Sequence, residues 1–281
     1  MPSHEVVPTP VLSSLHIHPV KSLQGSAPAE AAVEPWGLSG DRRWMLADTS
    51  GKAVTQRQYA RLALASAEAG AAGLRVSAPG MEPLTVAEPD PSSAGTVVVE
   101  VFGTEMDAVP AGPAADRWFS AYTGSEVRLV HMDDPARRRP VRAEYARPGE
   151  TVSFADGFPL LVTTAASLDA LNTLVARGDR PEEGPLPMER FRPNAVVDGT
   201  APWEEDGWTR LAIGEVTFRV ARLCGRCVVT TTDQRTAVRG SEPLRTLVRH
   251  RRVGGKAVFG VNLVPETTGT LRVGDPVKVL A

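Results

Sequence analysis

Apolar positions along this chain fall in short bursts rather than in long helical stripes. Residues 11–20, 43–48, 74–77 and 96–102 carry β-branched and apolar side chains between Gly, Pro, Asp and Ser punctuation, which predicts short strands. Residues 113–123 hold Ala-Ala-Asp-Arg-Trp-Phe-Ser-Ala-Tyr, whose apolar spacing suits an amphipathic helix, and residues 127–130 return to a strand pattern. Residues 133–148 contain five arginines and three prolines with few apolar positions, the composition of an exposed connection at a domain boundary or of a lip over a site. An apolar run at 158–162 leads into a helix carrying Leu168, Leu171 and Leu174, with Thr164 or Ser167 as its cap. Residues 178–187 read as a polar, Pro-rich loop. From 195 onward strands dominate, at 195–197, 209–213, 215–220, 228–231 and 272–279, with one helix at 242–251. The pattern is that of an α+β, β-rich protein with a few helices.

Composition narrows the classes. The 281 residues are 42% hydrophobic, enough for two domains, and 25 Gly with 24 Pro predict frequent turns. A net charge of −2 argues against a general binder of nucleic acid or of membrane surfaces. No apolar run approaches the ~20 residues that span a bilayer. Residues 1–10 lack the charged-then-apolar order of a secretion signal. Two cysteines cannot build a disulfide framework and fit a reducing, cytoplasmic setting.

Those two cysteines lie within four residues, in Leu223-Cys224-Gly225-Arg226-Cys227. A cation beside a thiol favours the thiolate, a nucleophile and a soft metal ligand. A structural zinc site would need two further ligands, and the five histidines are scattered without suitable spacing. A redox pair would precede a helix, whereas residues 228–232 read as a strand. Two small buried hydrophobes remain an open reading. A second constellation is cationic: Lys21-Ser22, Arg42-Arg43, Arg57 and Arg192 each sit at the end of a predicted element beside Gly, Ser or Asn, the chemistry that holds a phosphate or carboxylate if the cations converge. No Walker A or G-x-G-x-x-G loop is present. Asp233 reads either as a turn residue or as an acid serving a nearby thiolate.

Ordered motifs run from about Leu12 to Leu280. They include His18-Pro19-Val20-Lys21-Ser22, Gly40-Asp41-Arg42-Arg43-Trp44, Thr55-Gln56-Arg57-Gln58, Asp156-Gly157-Phe158-Pro159, Ala166-Ser167-Leu168-Asp169, Arg190-Phe191-Arg192-Pro193-Asn194, Cys224-Gly225-Arg226-Cys227 and Gly269-Thr270-Leu271-Arg272-Val273-Gly274-Asp275. In them the chain resembles the MOSC family, with a MOSC N-terminal β-barrel domain at 1–130 and a MOSC-type β-barrel domain at 131–281, most like the amidoxime-reducing members. The resemblance implies a molybdenum cofactor, a Mo-pyranopterin, and reduction of N-hydroxylated or N-oxide compounds. It implies Cys227 as the thiolate ligand to the metal, with Cys224 as a neighbour. Lys21, Ser22, Arg42, Arg57, Thr164, Arg192, Asn194 and Gly225 would bind the cofactor, and Asp233 would be an acid near the metal. Within these 281 residues no cysteine follows Cys227, so an iron–sulfur module is not expected among them. The expectation is a separate electron donor of ferredoxin, flavodoxin or cytochrome b5 type. The alternatives are a cofactor carrier or sulfur-transfer protein without small-molecule turnover, and a cofactor-free scaffold.

Overall fold

The computed structural model describes residues 9–141 and 143–280. Residues 1–8, most of the stretch read for a targeting signal, lie outside it, as do Arg142 and Ala281. Its largest sheet runs in the order Val11–Leu15, Ala195–Asp198, Leu160–Thr164, Lys256–Pro265, Val216–Gly225, Arg210–Ile213 and Val277–Val279. The sheet then closes on its first strand: Val11 bridges Pro276, and the Val277 amide donates to the Pro10 carbonyl at 2.7 Å. Inside this barrel Leu12, Leu15, Val162, Phe218, Val261 and Leu263 are fully buried, Val261 and Leu263 at alternate positions of their strand and Leu12 and Leu15 brought to one face by a register shift between Leu12 and Ser14. Strand Glu30–Glu34 pairs with Gly37–Leu38 and with Gly269–Arg272, so Leu12, Leu15, Ala31, Val33 and Leu38 share a core with the C-terminal half, whereas Val20 and Leu23 between them pack with the second unit.

The rest of the N-terminal half is a second β unit. Trp44–Asp48 pairs with Ala53–Val54 and Val127–His131, and the hairpin of Val97–Val101 and Thr104–Pro110 extends the sheet. Three further strands, Ser66–Gly70, Gly73–Ala78 and Met81–Val86, form a meander. Helix Pro113–Thr123 forms where its apolar spacing predicts it, opened by Pro113 in the first turn and closed by left-handed Gly124. It packs Ala115, Phe119 and Tyr122 against Trp44, Leu46 and Leu129. Helix Ala165–Ala176 is capped by Thr164, whose side chain accepts from the Ser167 amide.

Four expectations need correction. Residues 228–231 form a 3₁₀ turn, because the Thr230 and Thr231 hydroxyls bond locally to the Cys227 and Val228 carbonyls at 2.9 Å and compete with strand pairing. Residues 272–279 split at a turn into Gly269–Arg272 and Val277–Val279. The basic connection is not wholly exposed, since Arg139 and Val141 are buried. A central strand, Lys256–Pro265, was not anticipated: it is buried on both faces, so it lacks alternation, and Gly260 interrupts it at φ +75°.

Candidate functional site

A cavity of about 440 Å³ opens between the two halves, lined by Lys21, Ser22, Arg42, Arg57, Arg192, Asn194, Gly225 and Cys227 among others. Eight of the residues singled out in the sequence therefore meet at one place. The backbone shows the same concentration. Among the described residues six non-glycine side chains sit on left-handed φ, and four of them, Ser22, Arg42, Phe102 and Arg192, line this cavity. Such strained positions persist only where the surrounding structure holds them.

The thiol side is built by the end of one strand. Val216–Gly225 finishes at Gly225, the Arg226 amide bonds to the Ala257 carbonyl at 2.7 Å, and Cys227 follows in extended conformation before the 3₁₀ turn. Arg57 Nη2 donates to Cys227 Sγ at 3.3 Å, and Arg226 Nη1 donates to Cys224 Sγ at 2.9 Å. Arg57 is held by its own backbone. The Arg239 guanidinium donates to the carbonyls of Gln56 and Arg57, and Gln56 exchanges amide hydrogen bonds with Gln234 at 3.1 and 3.2 Å. Both cysteines are free thiols. Among the described residues no three His, Cys, Asp or Glu side chains gather as a metal site, so a metal at Cys227 would draw its other ligands from elsewhere.

The cationic side is crowded. Lys21 Nζ donates to the Phe154 carbonyl at 2.8 Å and to Asp156 Oδ1 at 2.5 Å. Burial pulls the Lys21 ammonium down to about 8 even with Asp156 beside it, and Arg139 and Arg57 add to the depression. Asp156 keeps 63% of its side-chain surface because it faces the cavity rather than protein atoms. Enclosure there opposes its charge, yet Lys21, then Arg57 and Arg42, hold its carboxyl well below the usual carboxylate range. Arg42 pairs with Asp41 and donates to the Arg192 carbonyl at 3.0 Å. Burial, then the Arg42 charge, lowers the Arg192 guanidinium to about 9. Its Nη2 is buried without a hydrogen-bond partner. An unpartnered buried donor among like charges suits an anion. The donor set, one soft thiolate with several phosphate-binding cations, fits an anionic metal-dithiolene cofactor.

Not every expected residue reaches the cavity. Asn194 lines it, but its side chain ties strands together, accepting from the Leu161 amide and donating to the His16 carbonyl. Thr164 is fully buried as the helix cap, next to Ser167 and Glu205, and is not among the lining residues. Asp233 also lies outside. Its Oδ1 accepts from the amides of Arg235 and Thr236, and its Oδ2 accepts from Arg190 at 3.0 Å. The acid that faces the thiol side is Asp156, 3.5 Å from the Arg57 guanidinium that contacts Cys227. Asp156 and Arg226 stood inside recognised motifs, whereas Phe102, Arg222 and Lys256 carried no signal beyond residue type.

Comparison with known proteins agrees with this architecture. Residues 9–126 match the MOSC N-terminal beta barrel domain and residues 149–278 match the MOSC domain. The human mitochondrial amidoxime-reducing component 1 is 34% identical over 285 residues, covering 96% of this chain and 82% of that protein. The human mitochondrial amidoxime reducing component 2 is 35% identical over 282 residues, covering 95% and 82%. The solved YUAD protein of Bacillus subtilis aligns over 96% of this chain and 94% of its own at 12% identity, with a TM-score of 0.42, too loose to add to the argument. With both halves matched in order and relatives of this similarity along nearly its whole length, the chain belongs to the MOSC family, in the two-domain form it shares with the amidoxime-reducing components.

Proposed function

We propose that this protein is a molybdenum-cofactor-binding oxidoreductase that reduces N-hydroxylated or N-oxide compounds with electrons from a separate donor protein. The observation that supports it most is the convergence of Cys227 with Lys21, Arg42, Arg57 and Arg192 on one cavity, with a buried Arg192 donor left unpartnered. In this reading Lys21, Ser22, Arg42 and Arg192 hold the anionic part of the pterin, and Cys227 supplies the thiolate ligand, its charge balanced by Arg57. Bound there, the cofactor supplies the two-electron redox chemistry. The net conversion takes an N–OH group, two electrons and two protons to N–H and water. Asp156 holds Lys21 and the Arg57 guanidinium that contacts Cys227, and Lys21 carries its proton at Nζ. The two free thiols suit a cytoplasmic setting.

Elemental analysis on protein produced with molybdate tests the reading. About one molybdenum per chain is expected for wild type and for Cys224→Ser, and much less for Cys227→Ser. Equal loss in both variants would point to a dithiol site instead. Metal bound in wild type with no turnover of N-hydroxylated compounds by any reductant would favour a cofactor carrier.

A further inference from the structure

Phe102 is the wrong residue for its place in the chain. It occupies the first position of the two-residue turn between Val97–Val101 and Thr104–Pro110, where Val101 pairs with Thr104. Both turn residues have positive φ, +52° at Phe102 and +80° at Gly103. Turns of that kind favour Asn or Gly at the first position, and a bulky side chain there is strained. Packing does not explain it either, because Phe102 remains 50% exposed. What the ring does touch belongs to the site. Lys21 Nζ lies 5.5 Å and Arg57 5.1 Å from its centroid, so the ring covers the two cations that flank Asp156 and Cys227.

The same ring divides two spaces. A second cavity of about 440 Å³ adjoins the first and shares Phe102 and Gly157 with it. Its wall includes Val101, Pro140, Val141, Ala146 and Pro148. Of its charged lining residues, Arg147 and Glu150 are taken up by ion pairs with Glu266 and Arg219, and Arg139 donates to the carbonyls of Ser153, Ala155 and Asp156. Val141 packs with Val152 and Ala155, and Phe158 packs at their edge, so this lobe has a small core of its own. A cationic chamber and a largely apolar annex thus adjoin at an aromatic ring, an arrangement suited to a ligand with one reactive polar end and one flat apolar end.

We infer that Phe102 is a specificity-determining residue: it stacks on a flat aromatic group attached to the reducible N–OH function, and the annex takes the remainder of that group. The inference rests on the proposed reductase reading, and the experiment separates the two. Wild type, Phe102→Asn and Phe102→Tyr, each loaded with cofactor, are compared on N-hydroxybenzamidine and N-hydroxyacetamidine. Calorimetric titration of both compounds is run in parallel on oxidised protein without an electron donor, so that binding is read without turnover. Asn suits the turn, so the urea midpoint of Phe102→Asn should not fall below wild type. Its preference for the aromatic compound, as the ratio of kcat/KM and as the ratio of dissociation constants, should drop about fivefold to tenfold. Phe102→Tyr should keep the preference. An unchanged ratio in Phe102→Asn, or wild-type binding no tighter for the aromatic compound, overturns the inference. If wild type reduces neither compound, the reductase reading falls, and the calorimetry alone decides the role of Phe102.

Discussion

Replacing Lys21 with methionine should make the cofactor-free protein more stable, not less. Lys21 is 5% exposed, and burial brings its ammonium from the usual 10.5 to about 8. At about 1.4 kcal/mol per pH unit, that depression amounts to about 3 kcal/mol of unfavourable charge burial wherever the ammonium is protonated in both states. Methionine removes that charge. It also removes the donor to the Phe154 carbonyl at 2.8 Å, a loss of about 1 kcal/mol. Asp156 loses its first partner but keeps the Arg57 guanidinium at 3.5 Å, and its side chain is 63% exposed toward the cavity, so its charge is not left without a partner. The balance is a gain of about 1–2 kcal/mol at pH 7. Between pH 8 and 10.5 the unfolded wild-type chain binds the proton that the folded chain has released, so wild-type stability rises with pH and the gap to Lys21→Met closes. Urea titrations at pH 7, 8, 9 and 10 on protein produced without molybdate measure it. Arg192, lowered to about 9 in both proteins, cancels in the difference. A variant less stable than wild type at pH 7, or a gap that does not change with pH, would refute the reasoning.

Two further outcomes test the placement of the site and the fold. Asp156→Asn should lower turnover of an N-hydroxylated substrate at least tenfold, because Lys21 and Arg57 lose the charge they share, whereas Asp233→Asn should act mainly on stability, by about 1 kcal/mol, through its turn and Arg190. Equal kinetic losses in the two would show that Asp233 serves the chemistry after all. Gly260→Ala should destabilise by about 2–4 kcal/mol in urea titration, since a Cβ at φ +75° would stand 2.6 Å from the Val162 carbonyl oxygen in the middle of the barrel; a loss under about 1 kcal/mol would mean that the strand can yield there.

The place of the candidate site was more legible than the folding of individual segments. Lys21, Arg42, Arg57, Arg192 and Cys227 stand in short motifs whose residue types suit anion and metal binding, and the fold brings all five to one cavity. Spacing could not choose between the two aspartates. Asp233 is nearer Cys227 in sequence, yet the 3₁₀ turn carries it away toward Arg190. Asp156 is remote in sequence and arrives beside the thiol side through its contacts with Lys21 and Arg57. The residue that supports its loop, Arg139, sat in a stretch whose arginine content suggested solvent. Its guanidinium instead donates to the carbonyls of Ser153, Ala155 and Asp156. Residues 228–231 misled for a local reason, because β-branching predicts a strand only when threonine hydroxyls do not bond to their own backbone.

The closure of the large barrel by Val11–Leu15 governs the order in which the chain can fold. That strand pairs with Ala195–Asp198 and meets Pro276, so its partners emerge from the ribosome long after it does. Until then its apolar residues Leu12 and Leu15 have no barrel to enter, and the chain must keep an unpaired strand from finding other edges. The second β unit, between about residues 44 and 131, has its neighbours close at hand and can collapse first. Delivery of residues 269–279 then shuts the barrel, because they meet Val11 and pair with Glu30–Glu34. A cavity assembled from Lys21, Arg57, Arg192 and Cys227 cannot exist in a nascent chain that has not yet reached Cys227, so any ligand it takes up enters only after both halves have been made.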